Sequence, residues 1–448
     1  MTEEQKRIEE LEKEVASLKG LVKDLLDRID TLRNRKNSRN SSVPPSKDEN
    51  RPPKTSSLRP QSDKRTGGQQ GHEGSTLKMV EVPDIIIKHT PKACVVCGNS
   101  LTDKELQLSS HRQVVDIPPI QPCYTEHQVY STICSCGHKN TGTYPNHVKS
   151  PISYGQNIEA LIAYLNARQY IPSERICEFF KDICNVPIGE GSIYNIIERF
   201  TQRAMPVYER IKQTIKESKV VGSDETGIKI NGKMNWGWTW QNNHATFITV
   251  SANRGPQTIS DIFTNGIPQA VLVHDCWKPH FKTGTESHQL CLAHVLRELK
   301  YMEERFRHTW PTMVSEVFVD AIKLKKKLKR VEYYYPLPQR TILEERLDKL
   351  LDQDLPVGTK DMITFQSRLF RYREYIFKFL YHPDVPPDNN ASERAIRNLK
   401  VKLKVSGQFK SLKGAQCFAI LRSITDTCVK NNQNIFNALK LIAQTQPE

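Results

Sequence analysis

Two apolar runs, each closing on an aspartate, constrain this chain more than any other feature. Val220-Val221-Gly222-Ser223 leads to Asp224, and Ala270-Val271-Leu272-Val273-His274 leads to Asp275. Short runs without polar alternation are what strands covered on both faces look like. After the first run, Ile228-Lys229-Ile230 enters Asn231-Gly232, a strong hairpin signal. Met234 to Trp240 alternates through Trp236, Trp238 and Trp240, Asn242-Asn243 marks a second turn, and Ala245 to Val250 supplies a third strand. A helical stretch, Gln257 to Phe263, precedes the strand that ends at Asp275. Such an order is expected to set the first and fourth strands side by side. Asp224 and Asp275 then become neighbours although fifty-one residues separate them.

Three strands, a helix and a fourth strand is the ribonuclease H-like order. Two carboxylates brought this close repel, and one protonates unless a divalent cation lies between them. A lone Asp at a strand end is usually a solvated turn residue, but two in the correct order point to a site for two Mg²⁺ (or Mn²⁺) ions. Paired ions of this kind cut and join phosphodiesters. A third carboxylate, Glu393, lies in Asp388-Asn389-Asn390-Ala391-Ser392-Glu393-Arg394, where Asp388 or Asn389 can cap a helix that aims Glu393 at the site. Glu225, next to Asp224 on its strand, is expected to point to the other face. From Arg394 to Lys413 there are seven Lys/Arg and no acidic residue. A charge run is usually solvated surface; beside a metal site, Arg394, Arg397, Lys400, Lys402 and Lys404 are candidate phosphate contacts.

At 448 residues the chain needs several domains, and a net charge of +15 suggests a polyanionic partner, nucleic acid first. No apolar run reaches the roughly 18–20 residues of a membrane span, so no membrane partner is expected. The N-terminus is charged from Glu3 and does not read as a signal peptide, so a cytoplasmic location is expected. Eleven cysteines in such a chain are better read as buried thiols and metal ligands than as a disulfide framework.

Ile8, Leu11, Val15, Leu18, Val22, Leu25, Ile29 and Leu32 step by threes and fours through four heptads, β-branched at a and Leu at d. This favours a parallel two-stranded coiled coil and hence a homodimer or higher oligomer. From Arg35 to Lys78 ten Lys/Arg face four Asp/Glu among Ser, Pro and Gly. That composition builds no core. The strip Gly67 to His72, flanked by Lys64 and Arg65, is either an arm in a DNA groove or a plain tether. Cys94-Val95-Val96-Cys97-Gly98 and Cys134-Ser135-Cys136-Gly137 suit a structural Zn²⁺ knuckle, with a cluster of unmetallated thiols as the alternative. Farther on, Ser173 and Ser192 can cap two helices around the glycines at 189 and 191. The pattern resembles a helix-turn-helix with Tyr194 and Asn195 able to reach bases, though ordinary helical packing fits as well. Cys291 and His294, one turn apart, read as a buried Cys beside a structural His rather than as metal ligands.

Taken together, these blocks resemble the IS66-family transposases of the DDE class. The resemblance rests on the zipper, the Asn40-Ser41-Ser42…Pro45-Ser46-Lys47-Asp48 linker, Gly67 to His72, the paired cysteines, Asp224-Glu225-Thr226 and Asp275-Cys276-Trp277. Most specific are Cys291-Leu292-Ala293-His294-Val295-Leu296-Arg297 and Asn389-Asn390-Ala391-Ser392-Glu393-Arg394. It implies a catalytic centre of Asp224, Asp275 and Glu393, interrupted by a helical insertion. It also implies binding to terminal inverted repeats, strand transfer into target DNA, and room for accessory proteins encoded by the element. The expected architecture is multidomain α+β. It comprises a coiled coil over 1–34, a basic linker over 35–80, a zinc-binding domain over 81–150 and a helical DNA-binding domain over 151–217. The ribonuclease H-like core follows over 218–284, with its helical insertion at 285–380 and the rest of the core at 381–448.

Overall fold

In a computed structural model of the chain, residues 3–33, 77–145, 148, 150–306 and 308–445 are described. They divide into two compact units. One takes Met1–Pro52, Cys123–Asp182 and Val186–Glu448, the other Pro53–Pro122 with Ile183–Asn185. Most of the linker, including Lys64, Arg65 and Gly67 to His72, lies outside the described residues.

The larger unit opens with helix α1 (Glu3–Arg33), whose apolar stripe from Ile8 through Leu11, Val15, Leu18, Val22 and Leu25 to Ile29 is exposed in the single chain. A short hairpin, β1 (Ser131–Ile133) and β2 (Lys139–Thr141), carries the second cysteine pair in its turn. Helix α2 (Gln156–Ala163) runs on as a π-turn to Arg168, followed by α3 (Ser173–Cys184) and the 27-residue α4 (Glu190–Lys216). The serines do not cap as expected. Gly189 holds the N-cap of α4, leaving Ser192 inside the helix, and Ser173 is itself helical. Ile193, Ile196, Phe200, Ala204, Tyr208 and Ile215 form the buried face of α4 at helical spacing.

The central sheet has five strands: β3 (Val220–Ile230), β4 (Lys233–Gln241), β5 (Thr246–Ser251), β6 (Ile267–His274) and β7 (Thr285–Leu290), with α5 (Pro256–Ile262) crossing from β5 to β6. Their order is β5-β4-β3-β6-β7. The meander is antiparallel; β3–β6 and β6–β7 are parallel. Two features depart from the sequence reading. Asp224 lies mid-way along β3 rather than at its end. Thr285 to Leu290, placed by the sequence at the start of the helical insertion, forms β7. Its sequence, Thr-Glu-Ser-His-Gln-Leu, has no apolar run because polar partners satisfy it. Buried Gln289 donates to the carbonyls of Leu290 and Ile376 and accepts from Phe379 N–H.

Helices α6 (Leu292–Phe306), α7 (Thr309–Lys327), α8 (Pro338–Leu351) and α9 (Lys360–Arg371) form the insertion. Their buried Leu299, Trp310, Phe318, Leu347 and Phe365 join Val271, Val273 and Leu290 of the sheet in one core. The chain then returns as α10 (Asn390–Ser406), α11 (Leu412–Lys430) and α12 (Ile435–Gln444). Ile396, Leu399 and Phe418 pack with Ile228, Ile230, Ile248 and Val250 in a second core. Each such side chain stabilises the fold by roughly 1.5–3 kcal/mol. The insertion therefore has its own apolar anchor on β6 and β7, while α10 and α11 are anchored on β3 and β5.

Candidate active site

The two aspartates meet through strand register. Val220, Val221 and Gly222 pair with Val271, Leu272 and Val273. Two residues farther along each chain lie Asp224 and Asp275. β6 has ended there while β3 continues. Asp275 begins a tight turn in which its Oδ1 accepts the Trp277 N–H at 3.1 Å. Cys276, between them, adopts φ +71°, an unfavourable conformation for an L residue. Its N–H donates to Nδ1 of the fully buried His274 at 3.2 Å, which holds the turn in place.

The glutamate is delivered by close helix–strand packing. Asn389, at the N-cap of α10, does not cap; its amide donates to the Ser223 carbonyl at 2.6 Å, and its backbone N–H to Cys291 Sγ at 3.1 Å. The carboxylate that meets the helix start is Asp388, on the N–H of Asn390. Gly222 makes the approach possible. A Cβ there would lie 2.6 Å from Gln241 Nε2 and 2.7 Å from Asn389 Oδ1, and would collide with Ser392 Oγ. Gly237 does the same farther along the helix, where a Cβ would strike Leu399. Glu393 thus projects over the β3 face that carries Asp224.

The three carboxylates feel one another. The Asp224 carboxyl is raised well above the usual range, first by burial and then by the charges of Glu225, Asp275 and Glu393. Glu393 Oε1 accepts from Arg297 Nη2 at 3.2 Å and lies 3.6 Å from His294 Nε2. Burial and Arg297 push His294 down to about 4, so the ring is neutral near pH 7. Burial pushes the Cys291 thiol up to about 12. Ligand atoms of Cys291, His294 and Glu393 fall within 4.8 Å of one another. The protonated thiol and the Arg297 guanidinium leave that trio less suited to a cation than the carboxylate face.

Residues 151–417, which include all three acids, match the family model described as "Transposase IS66 family". The chain belongs to the IS66 transposase family. Residues 2–78 match a family of unknown function (DUF6444). An uncharacterized protein, y4jO, of Sinorhizobium fredii is 26% identical over 155 residues; the match covers 34% of this chain and 45% of that protein.

Other expected site residues of this IS66-family chain are dispersed. Arg394, Arg397 and Lys404 are exposed on α10, and Lys400 is half-buried. Lys402 is a correction: it is 6% exposed, its ammonium bonded to the carbonyls of Tyr170 and Ile171 and lying over the Phe418 ring. Burial lowers it to about 8, and its place is in the core rather than on DNA. Tyr194 and Asn195 are exposed on the first turns of α4.

The cysteine pairs lie in different units, each in its own turn. In one, Cys94 N–H meets the Asn99 carbonyl and Gly98 adopts φ +72°. In the other, Cys134 N–H meets the His138 carbonyl and Gly137 adopts φ +85°. Hydrogen bonds from the Cys97 and Val96 backbones lower the Cys94 thiol, and one from the Cys136 backbone lowers that of Cys134.

Sequence reasoning alone does not single out Arg297 or Gly222 as parts of the site, and it gives Asn389 a capping role rather than its bond to β3. The signals they carry are slight: a glycine inside an apolar strand run, and an arginine one turn beyond His294. Among the described residues no helix is long and apolar enough to cross a membrane.

Proposed function

We propose that this chain is a DDE transposase with a ribonuclease H-like core. In this reading it binds the terminal inverted repeats of an insertion sequence, cleaves there and transfers the ends to target DNA. The observation that carries it is the convergence of Asp224, Asp275 and Glu393, with Asp224 raised by burial and by neighbouring negative charges that include the other two. Such a donor set, all hard oxygen, fits Mg²⁺ or Mn²⁺. Asp224, Asp275 and Glu393 are the residues that would hold the ions. When bound, the ions supply nucleophile activation and charge neutralisation at the phosphodiester.

The protein's own groups have distinct tasks. Arg297 holds the Glu393 carboxylate in place through Oε1, with the neutral His294 ring beside it. Asn389 locks the start of α10 to β3, so the three acids keep their spacing. Arg394 and Arg397, one helical turn apart and exposed, are suited to clamp phosphates beside the site. Lys404, Tyr194 and Asn195 are further candidate DNA contacts, and Lys64 and Arg65 belong to a basic arm. The exposed stripe of α1 supports pairing with a second copy as a coiled coil. Within each unit by itself, the turn around Cys94–Cys97 or Cys134–Cys136 aims backbone N–H groups at a sulfur, which suits a Zn²⁺-bound thiolate.

The test uses purified protein, Mg²⁺ or Mn²⁺, and labelled duplexes from the DNA flanking its gene. Metal-dependent nicking at the element's ends and joining of 3′ ends to a second duplex are expected. Cleavage without joining would mark a nuclease. No cleavage, with end binding intact, would mark a regulator descended from a transposase. If Asp224→Ala and Glu393→Ala cleave like the wild type, the assigned centre is wrong.

A further inference from the structure

Behind the aspartate face, a second set of contacts joins the middle of β3 to the turn after β6. Glu225 follows Asp224 and points to the opposite face of β3, its side chain only 1% exposed. Its Oε1 accepts from Arg254 Nε at 2.9 Å and Nη2 at 2.6 Å, and its Oε2 lies 3.2 Å from His280 Nε2. Arg254 comes from the loop after β5. Its guanidinium lies 3.8 Å from the ring of Trp277 and 4.7 Å from that of Trp236. Trp277 in turn gives its N–H to Asp275. The contacts form a path from Asp224 through Glu225, Arg254 and Trp277 to Asp275.

We propose that Arg254 is a positioning residue for the divalent-cation site, fixing the separation of Asp224 and Asp275 by clamping Glu225 to Trp277. The proposal rests on the reading of those aspartates as metal ligands. Its geometry is specific to arginine. Two nitrogens on one carboxylate set the direction of the guanidinium plane, and that plane stacks on an indole; a lysine supplies the charge but neither constraint. The Cys276 turn needs such a hold, because its left-handed residue favours relaxation once Trp277 is released. Without the clamp, Asp275 turns away from Asp224 and a cation must organise the pair as it binds. Supporting groups around ligands typically contribute about 10–100-fold to metal affinity.

The experiment titrates metal-free, full-length protein with Mn²⁺ alone, following free Mn²⁺ by electron paramagnetic resonance, so no DNA or activity is required. Asp224→Asn should abolish the tightest site. Arg254→Lys, which keeps the charge opposite Glu225, should weaken that site about tenfold or more. In cleavage, the Mg²⁺ needed for half-maximal rate should rise by a similar factor while the maximal rate stays near wild type. Should Arg254→Lys fold poorly, the neutral pair Glu225→Gln with Arg254→Gln removes the clamp without burying a lone charge, and the same weakening is expected. Wild-type Mn²⁺ affinity in the folded Arg254 variants, with the site lost in Asp224→Asn, overturns the clamp and leaves the metal site standing. Wild-type affinity in Asp224→Asn overturns the metal site, and the clamp falls with it.

Discussion

Asp224 and Glu225 are adjacent carboxylates on one strand, and they live in opposite worlds. Burial alone would raise Glu225, but hydrogen bonds and charge from His280 and Arg254 hold it below the usual range. Asp224 is pushed the other way, by burial and by three acidic neighbours. A satisfied buried carboxylate is a structural part, because its partners offset its desolvation. A cluster of like charges costs stability and persists where a counter-charge outside the polypeptide completes it. The strand pleat separates these two cases by a single residue.

The largest expected effects test that contrast directly. Asp224→Ala or Glu393→Ala should lower end cleavage by about a thousandfold or more, about 4 kcal/mol of transition-state stabilisation, without lowering the unfolding midpoint of metal-free protein. Glu225→Ala should do the reverse to stability. It strands Arg254 and His280, and breaking a buried pair typically costs about 3–5 kcal/mol, read from urea denaturation. If both faces lose stability equally, the division into functional and structural carboxylates fails.

Gly222→Ala acts on the spacing between the faces rather than on any charge. The added methyl group meets Asn389, Gln241 and Ser392, and α10 must move. Overpacking costs about 1–3 kcal/mol. A displacement near 1 Å of Glu393 is expected to cut cleavage about a hundredfold. Cleavage rate measured against unfolding midpoint separates the two. A stability loss with an unchanged rate would show that the glycine serves packing alone.

How much of this is legible in the sequence follows the same divide. The β3 and β6 runs are apolar and short, so their pairing, and with it the Asp224–Asp275 neighbourhood, can be read from strand order. The direction of Glu225 follows from alternation. The polar strand β7 cannot be read, because Gln289 is buried through partners as distant as Ile376 and Phe379. Nor can the burial of Lys402, which shares its charge run with exposed Arg394 and Arg397 and differs only in meeting two carbonyls of the 170–171 segment. The Arg254 clamp joins residues from β3, the loop after β5 and the turn after β6, and no local pattern marks it.

The charge run offers a subtler comparison. Replacing exposed Arg394 or Arg397 by Ala should weaken binding to end-containing DNA and reduce the salt-dependence slope by about 0.9 for each phosphate that is no longer neutralised. Lys402→Met, which keeps the buried stem but not the ammonium, should leave that slope unchanged. An equal change in slope for Lys402→Met would mean that the basic run acts as one field, not through separate side chains.

The smallest effect is the pH dependence that Asp224 contributes. Its folded-state carboxyl is raised above its unfolded value, so the native protein holds the proton more tightly. Stability of the metal-free protein should therefore fall as pH rises from the ordinary carboxylate range through the raised value, and the penalty is complete above it. Asp224→Asn carries no such penalty. At pH 8 the metal-free Asn variant should melt a few degrees above the wild type, with the gap closing as pH falls toward the unfolded range. Mg²⁺ should close the same gap at pH 8 by stabilising only the wild type, since it binds the native carboxylates and not the amide. Identical melting of the two proteins across this range, with and without Mg²⁺, would mean that Asp224 is no more strained than Glu225, and the contrast between the two faces would lose its physical basis.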